Sequence, residues 1–135
     1  MQRFTAGSFL LAIALFIACC GVCEAAEDMR FVDAEDDTGY YVDAASIARV
    51  SDTEFDAVIA VIKAAENRLY LYHTRFNHQA GTYRIFDARV EVYDTKEILR
   101  TMQGMDAPQV YTPASPMRGI VDFIEELLAE KQQTA

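Results

Sequence analysis

Cysteine is missing from most of this sequence. The three cysteines, Cys19, Cys20 and Cys23, all lie near the amino terminus. The rest of the chain therefore has no thiol, no disulfide and no cysteine-based metal site. A domain without disulfides depends on its hydrophobic core for stability, and the chain after residue 25 is long enough to form one.

Motifs for metal binding and covalent catalysis are also missing. The two histidines, His73 and His78, are five residues apart and belong to no metal-binding spacing such as H-E-x-x-H. Alternation along a strand would place them on opposite faces of a sheet. No glycine-rich phosphate loop occurs, and no G-x-S-x-G motif surrounds Ser46. We therefore predict no catalytic residue, no metal site, no cofactor and no enzymatic activity.

Basic residues are in the minority. The chain has 12 lysines and arginines against 21 aspartates and glutamates, a formal net charge of −9 at pH 7. Phosphate backbones and anionic lipid surfaces repel such a chain, so we do not expect nucleic acid as a partner. The acidic segment EDDTGYYVD, residues 35–43, does not fit the twelve-residue calcium loop, because the glutamate at its twelfth place is absent.

The amino-terminal segment has the features of a secretory signal peptide. Arg3 precedes the apolar run FLLAIALFIACCGVC, and small residues follow that run. We predict cleavage after Ala25, which makes residues 1–25 the signal peptide and residues 26–135 a single secreted domain. After cleavage of the leader we expect no membrane insertion, and a location outside the cell, in the periplasm or at the cell surface.

Two other fates of the leader stay open. The uncharged run Phe4–Cys23 is about as long as a membrane-spanning helix, so the leader could remain as an anchor. The sequence FIAC, which ends at Cys19, is a loose version of the pattern that precedes lipid attachment, so the protein could instead be lipid-anchored at Cys19.

Alternating apolar residues predict three consecutive long strands. They are EFDAVIAVIKAA, LYLYHTRFN and TYRIFDARVEVYD, joined by short polar segments. This arrangement predicts an antiparallel meander. In the first strand both alternate sets are apolar, so we expect it to lie centrally with both of its faces covered. In the third strand we expect Phe86, Ala88, Val90 and Val92 to point inward, and Asp87, Arg89 and Glu91 to point outward.

Two shorter strands precede the meander. MRFVDA and YYVD have strand character, and the acidic segment between them reads as a turn. After the second strand, Asp43 and Ser46 lie in DAAS, where their side chains can bond backbone N–H groups. We interpret this segment as a corner of the chain and not as a base with a nucleophile.

Two helices are predicted after the meander. In DTKEILRTMQG, residues 94–104, Ile98, Leu99 and Met102 share one helical face and Gly104 ends the segment. In SPMRGIVDFIEELLAEK, Ser115 is a good N-cap and proline follows at the first helical position. A single apolar stripe then consists of Ile120, Phe123, Ile124, Leu127 and Leu128. The predicted fold class is α+β: an antiparallel meander sheet packed by a carboxy-terminal helix, with a second short helix.

The segments MRFVDA, GYYVDAASI and YTPASPMRGIVDFI together resemble the bacterial surface-adhesin protein E-like family. The matching positions are Phe31, Tyr41, Asp43, Ser46, Ile47, Tyr111, Pro113 and Ser115. The resemblance implies an antiparallel sheet with a peripheral helix, exported to the cell surface. Family members often carry tryptophan at two of these positions and a cysteine pair, which this chain lacks. No basic binding segment is present either, so the adhesin's binding activity is not carried over.

Exposed aromatic and arginine side chains indicate a binding surface. Tyrosine and arginine dominate protein interfaces, and we expect members of the set Arg75, Tyr83, Arg84 and Arg89 to share an exposed face of the sheet. We therefore predict an exported, non-catalytic binding protein of the cell envelope or surface, whose partner is a protein there or on a host surface. The alternative is a small secreted enzyme or enzyme inhibitor.

Overall fold

Eight antiparallel strands form one sheet in the described part of the computed structural model of this protein, and a carboxy-terminal helix packs against it. The structure describes residues 27–134. The elements are β1 (Met29–Glu35), β2 (Thr38–Asp43), β3 (Ala48–Arg49), β4 (Glu54–Lys63), β5 (Arg68–Asn77), β6 (Thr82–Val92), β7 (Ile98–Gln103), β8 (Gln109–Val110) and α1 (Pro116–Gln133). The predicted α+β fold class is confirmed. The predicted signal peptide, its cleavage after Ala25 and the lipid site at Cys19 lie outside the described residues.

The strands follow the order β1-β2-β4-β5-β6-β7, with β3 beside β4 and β8 beside β6. The predicted meander corresponds to β4, β5 and β6. Its register places Ile59 opposite Tyr72, and Tyr72 opposite Ala88. β4 lies in the interior of the sheet, as its two apolar sets predict.

Helix α1 begins as its sequence predicts. The hydroxyl of Ser115 accepts a hydrogen bond from the backbone N–H of Met117 at 3.2 Å, and Pro116 occupies the first helical position. The apolar stripe then meets the sheet, where Ile120 and Ile124 are fully buried.

The main hydrophobic core lies between α1 and one face of the sheet, which we call the inner face. Alternate residues of β4 on this face, Phe55, Ala57 and Ile59, are buried against the helix, and Phe76 of β5 joins them. The ring centroids of Phe55 and Phe76 lie 5.6 Å apart. The opposite face of the sheet, which carries Val58, Ala60 and Ile62 of β4, we call the outer face.

The predicted second helix over residues 94–104 is wrong, because Ile98–Gln103 forms strand β7 along β6. Lys96 has a positive φ of 62°, which suits a tight turn and not a helix. The N–H of Val92 donates to the carbonyl of Glu97 at 2.8 Å, which closes the β6–β7 hairpin. Helix formation needs a buried apolar face, and Ile98 and Leu99 are exposed, so pairing with the edge of β6 prevails.

A bulge reverses one predicted side chain of β6. The β5–β6 register shifts between His73 and Thr74, so Phe86 has no partner on β5. Ala88 and Val90 are buried as predicted. Phe86, which was predicted to point inward, instead contacts the side chains of the outer face.

We expect Ile124→Ala to lower the free energy of unfolding by about 2–5 kcal/mol, because it removes a fully buried side chain between helix and sheet. Leu99→Ala removes the same kind of group from an exposed position and should change stability by less than about 0.5 kcal/mol. Urea denaturation of both variants measures the difference. Equal losses would contradict the assigned core.

Candidate binding face

The outer face carries an open groove of about 490 Å³. Its floor consists of Ala60 from β4 and of Leu69 and Leu71 from β5, which are only 1%, 7% and 8% exposed. Met29 of β1 and Ile62 of β4 line it as well. Ala60 is therefore buried on this face too, in agreement with the prediction that both faces of β4 are covered. Among the described elements, the helix packs on the inner face only, and the second apolar set of β4 lines the groove.

Aromatic side chains form the walls of the groove. On one side Tyr41 of β2 packs edge-to-face against Phe31 of β1, with ring centroids 5.5 Å apart. On the other side Tyr93 begins the β6–β7 turn, and the Nζ of Lys96 lies 4.4 Å from the centroid of its ring. Phe31 and Tyr93 are both exposed. Apolar and aromatic side chains with a few polar groups are the usual lining of a binding site.

One carboxylate is buried in the groove. Glu91 of β6 is 6% exposed, although sequence alternation predicted it to face solvent. Arg89 donates from Nε to the Oε2 of Glu91 at 2.9 Å. A buried carboxylate without a partner is strongly destabilising, so this pairing gives Arg89 a structural function.

Beyond Glu91 the outer face becomes charged. His73 of β5 lies 3.4 Å from Asp87 of β6. Further along, Arg75 donates two hydrogen bonds to the carboxylate of Asp56, at 2.7 and 3.0 Å. The hydrogen bond to Asp56 raises the pKa of Arg75 above its ordinary value. Phe86 packs beside these groups, with the guanidinium carbon of Arg75 5.1 Å from its ring centroid.

Three of the four predicted binding residues share this face. Arg75, Arg84 and Arg89 lie on the outer face, on β5 and β6. Tyr83 pairs with the buried Phe76 and packs against the inner core, and it also lines a hollow together with Arg75 and Arg84. The bulge sets this arrangement, since the extra residue in β6 reverses the alternation between Tyr83 and the residues after it.

Asp43 and Ser46 form the predicted corner. The Oδ1 of Asp43 accepts hydrogen bonds from the backbone N–H groups of Asp28 and Ala45, at 2.9 and 3.1 Å. The hydroxyl of Ser46 donates to the carbonyl of Asp43 at 2.7 Å and accepts from the N–H of Val58 at 2.8 Å. These bonds tie a short 3-10 helix, Ala44–Ser46, to β4. The predicted corner of the chain, with both side chains bonded to backbone groups, is confirmed.

The two histidines lie on opposite faces, as strand alternation predicts. His73 faces outward, and with Asp43 and Arg89 it lines a shallow hollow of about 280 Å³. His78 lies on the helix side, where its Nδ1 is 3.0 Å from the Oε1 of Glu125 and its ring stacks on Phe55. In residues 27–134, no three histidine, cysteine, aspartate or glutamate side chains gather to hold a metal ion.

A second apolar hollow, of about 360 Å³, lies on the inner face beside the first turn of α1. Tyr40, Tyr72 and Met117 line it together with the core residues Ile59 and Ile120. Burial raises the pKa of Tyr72 above its usual value. Because this hollow borders the main core, we assign it to helix packing and treat the groove of the outer face as the candidate site.

Comparison with known proteins finds no counterpart for this chain. No protein-family model, no curated protein and no solved structure matches it. The resemblance to the surface-adhesin protein E-like family therefore stays a prediction. Within residues 27–134, no helix combines the length and apolar character that crossing a membrane requires.

We expect Ser46→Ala to lower the free energy of unfolding by about 1–3 kcal/mol, because the partly buried N–H of Val58 loses its acceptor. Ser51→Ala is the matched control, since the hydroxyl of Ser51 accepts from backbone N–H groups in an exposed turn that water can also satisfy. Thermal unfolding of the two variants compares them. A loss in Ser51→Ala as large as that in Ser46→Ala would be inconsistent with this assignment.

Proposed function

We propose that this chain is a non-catalytic binding protein, exported to the cell envelope or surface, that binds a protein partner through the groove of the outer face. The observation that carries the proposal is the apolar groove itself, with Leu69 and Leu71 in its floor and Tyr41 in its wall. Concave sites lined mainly by apolar and aromatic side chains, with a few polar groups, are typical binding sites.

The composition of the groove suits an apolar side chain or segment of a partner. Aromatic residues are enriched where protein surfaces meet, and Phe31, Tyr41 and Tyr93 provide them here. Two of the acidic groups nearby already have partners, since Glu91 is paired with Arg89 and Asp43 accepts backbone N–H groups. Carboxylates held in such hydrogen bonds and ion pairs are poorly placed to transfer protons, which favours a binding function over a catalytic one.

The amino-terminal sequence supports export. The charged start, the apolar run and the small residues before the cleavage point are the parts of a signal peptide. The absence of cysteine after residue 23 means that the domain needs no oxidant to fold after export. The resemblance to the adhesin family favours the same location.

Intact mass spectrometry of the exported protein tests this location. We expect a mass that begins at Ala26, because cleavage after Ala25 leaves the domain that starts there. A diacyl adduct on a cysteine would instead support lipid anchoring at Cys19, and the mass of the uncleaved chain would support a retained anchor.

We expect Ile62→Glu to weaken partner binding by roughly tenfold or more, because a charge in the groove must lose its water when an apolar group enters. The partner is recovered by affinity capture from envelope extract with the wild-type chain, and its dissociation constant is then measured for each variant. Val50→Glu is the control, since it places the same charge at an exposed apolar position between β3 and β4, outside the groove.

Two outcomes would contradict the proposal. The first is a partner that binds wild type and Ile62→Glu equally, and the second is an equal loss in Ile62→Glu and Val50→Glu. Thermal unfolding of both variants checks that each remains folded.

A further inference from the structure

Two arginines face each other across neighbouring strands of the outer face. Arg75 of β5 and Arg84 of β6 are partners in the strand register. Like charges directly opposite on a sheet destabilise it, unless other groups compensate them. Arg75 is compensated by Asp56, at 2.7 Å, and by Glu54, at 3.8 Å. For Arg84, no carboxylate of residues 27–134 lies within 4.0 Å of the guanidinium.

Arg84 is nevertheless held in place. Its Nε donates to the carbonyl of Met105 at 3.2 Å, and its guanidinium carbon lies 5.6 Å from the ring centroid of Phe86. Phe86 thereby lies between the two arginines, because the β6 bulge turns it to this face. A side chain fixed by one hydrogen bond and one aromatic contact loses little further conformational entropy when it binds a ligand.

The remaining donors of Arg84 reach solvent in a small hollow. No buried side-chain nitrogen or oxygen of the described residues lacks a hydrogen-bond partner, so the unpartnered guanidinium nitrogens of Arg84 are accessible. The hollow has a volume of about 190 Å³, and Arg75, Asn77 and Thr82 line it with Arg84. The Oδ1 of Asn77 accepts from the N–H of Ala80 at 2.9 Å, which leaves the amide nitrogen of Asn77 as a donor.

We propose that this hollow is a carboxylate-binding site, with Arg84 as its principal ligand-binding residue and with Asn77 and Thr82 as additional donors. The planar fork of a guanidinium matches the two oxygens of a carboxylate. The positive charges of Arg75 and Arg84 are balanced by Asp56 and Glu54, so the hollow suits a monoanion better than a dianion such as phosphate, which the carboxylate of Glu54 repels more strongly. The volume suits one carboxylate-bearing side chain or small molecule.

This site deepens the proposed function and rests on it only for the source of the carboxylate. It lies on the same face as the groove, on the far side of the Arg89–Glu91 pair. A partner whose apolar group enters the groove would present an aspartate, a glutamate or its terminal carboxylate to Arg84. A free small carboxylate offers the same chemistry, and the test therefore includes both sources.

Side-chain NMR of the full-length protein tests the site. Arg84 Nε–H is followed during titration with acetate, and separately with a blocked peptide that contains two glutamates; the same peptide with glutamines is the control. We expect a saturable shift with the glutamate peptide, with acetate, or with both, and none with the glutamine peptide. Response to the peptide alone identifies a protein segment as the source, and response to acetate alone identifies a small carboxylate.

The matched variants are Arg84→Gln and Arg100→Gln. Arg84→Gln removes one positive charge from the site, and Arg100→Gln removes one from exposed strand β7. Arg84→Gln should weaken binding of the responding probe roughly tenfold to a hundredfold, because charge-assisted hydrogen bonds contribute about that much to affinity. Arg100→Gln should leave it within about twofold. Because Arg84→Gln loses the reporter group, intrinsic tyrosine fluorescence or calorimetry follows binding in the variants.

Three results would overturn the site: no saturable binding of either carboxylate probe, equal losses in the two variants, or tighter binding of inorganic phosphate than of acetate. These results are separable from a failure of the proposed function. The groove variant Ile62→Glu reports on partner binding, whereas Arg84→Gln reports on the carboxylate site, and each can fail while the other holds.

Discussion

The contact between α1 and the inner face of β4 is the interaction on which the rest of this structure depends. Ile120 and Ile124 of the helix pack on Phe55 and Ile59 of the strand, and all four side chains are fully buried. The described chain contains no cysteine, so apolar burial of this kind, at about 25 cal/mol per Å² of buried apolar area, is its main stabilising term.

Helix α1 covers the inner face of the sheet. On the outer face, the described residues form a groove and a charged hollow instead. β4 is apolar on both sides, and the small side chain of Ala60 leaves a depression that β1 and the β6–β7 turn border. Farther along, the apolar floor gives way to ion pairs, so that a single sheet surface offers an apolar groove and a charged hollow lined by Glu54, Arg75 and Arg84. Such an arrangement suits a partner with an apolar group next to a carboxylate.

Local signals predicted the parts of the molecule whose partners lie close in sequence. The Asp43–Ser46 corner and the Ser115 cap are of this kind, since side chains there bond backbone groups two or three residues away. The prediction of a helix over residues 94–104 was wrong because this segment pairs with the edge of β6 as a strand. No local pattern in the sequence reveals that this edge is open. The predicted inward direction of Phe86 was wrong because a bulge, and not strand alternation, sets the direction of its side chain.

The sequence by itself determined the strands of the meander, the position of the helix and the corner, because hydrophobic period and hydrogen-bonding residue types act over a few residues. Only the tertiary structure decided which apolar set of β4 the helix covers, that Glu91 is buried beside Arg89, and that no carboxylate of residues 27–134 pairs with Arg84. These depend on register and on the approach of distant strands, because a one-residue shift moves every later side chain to the other face.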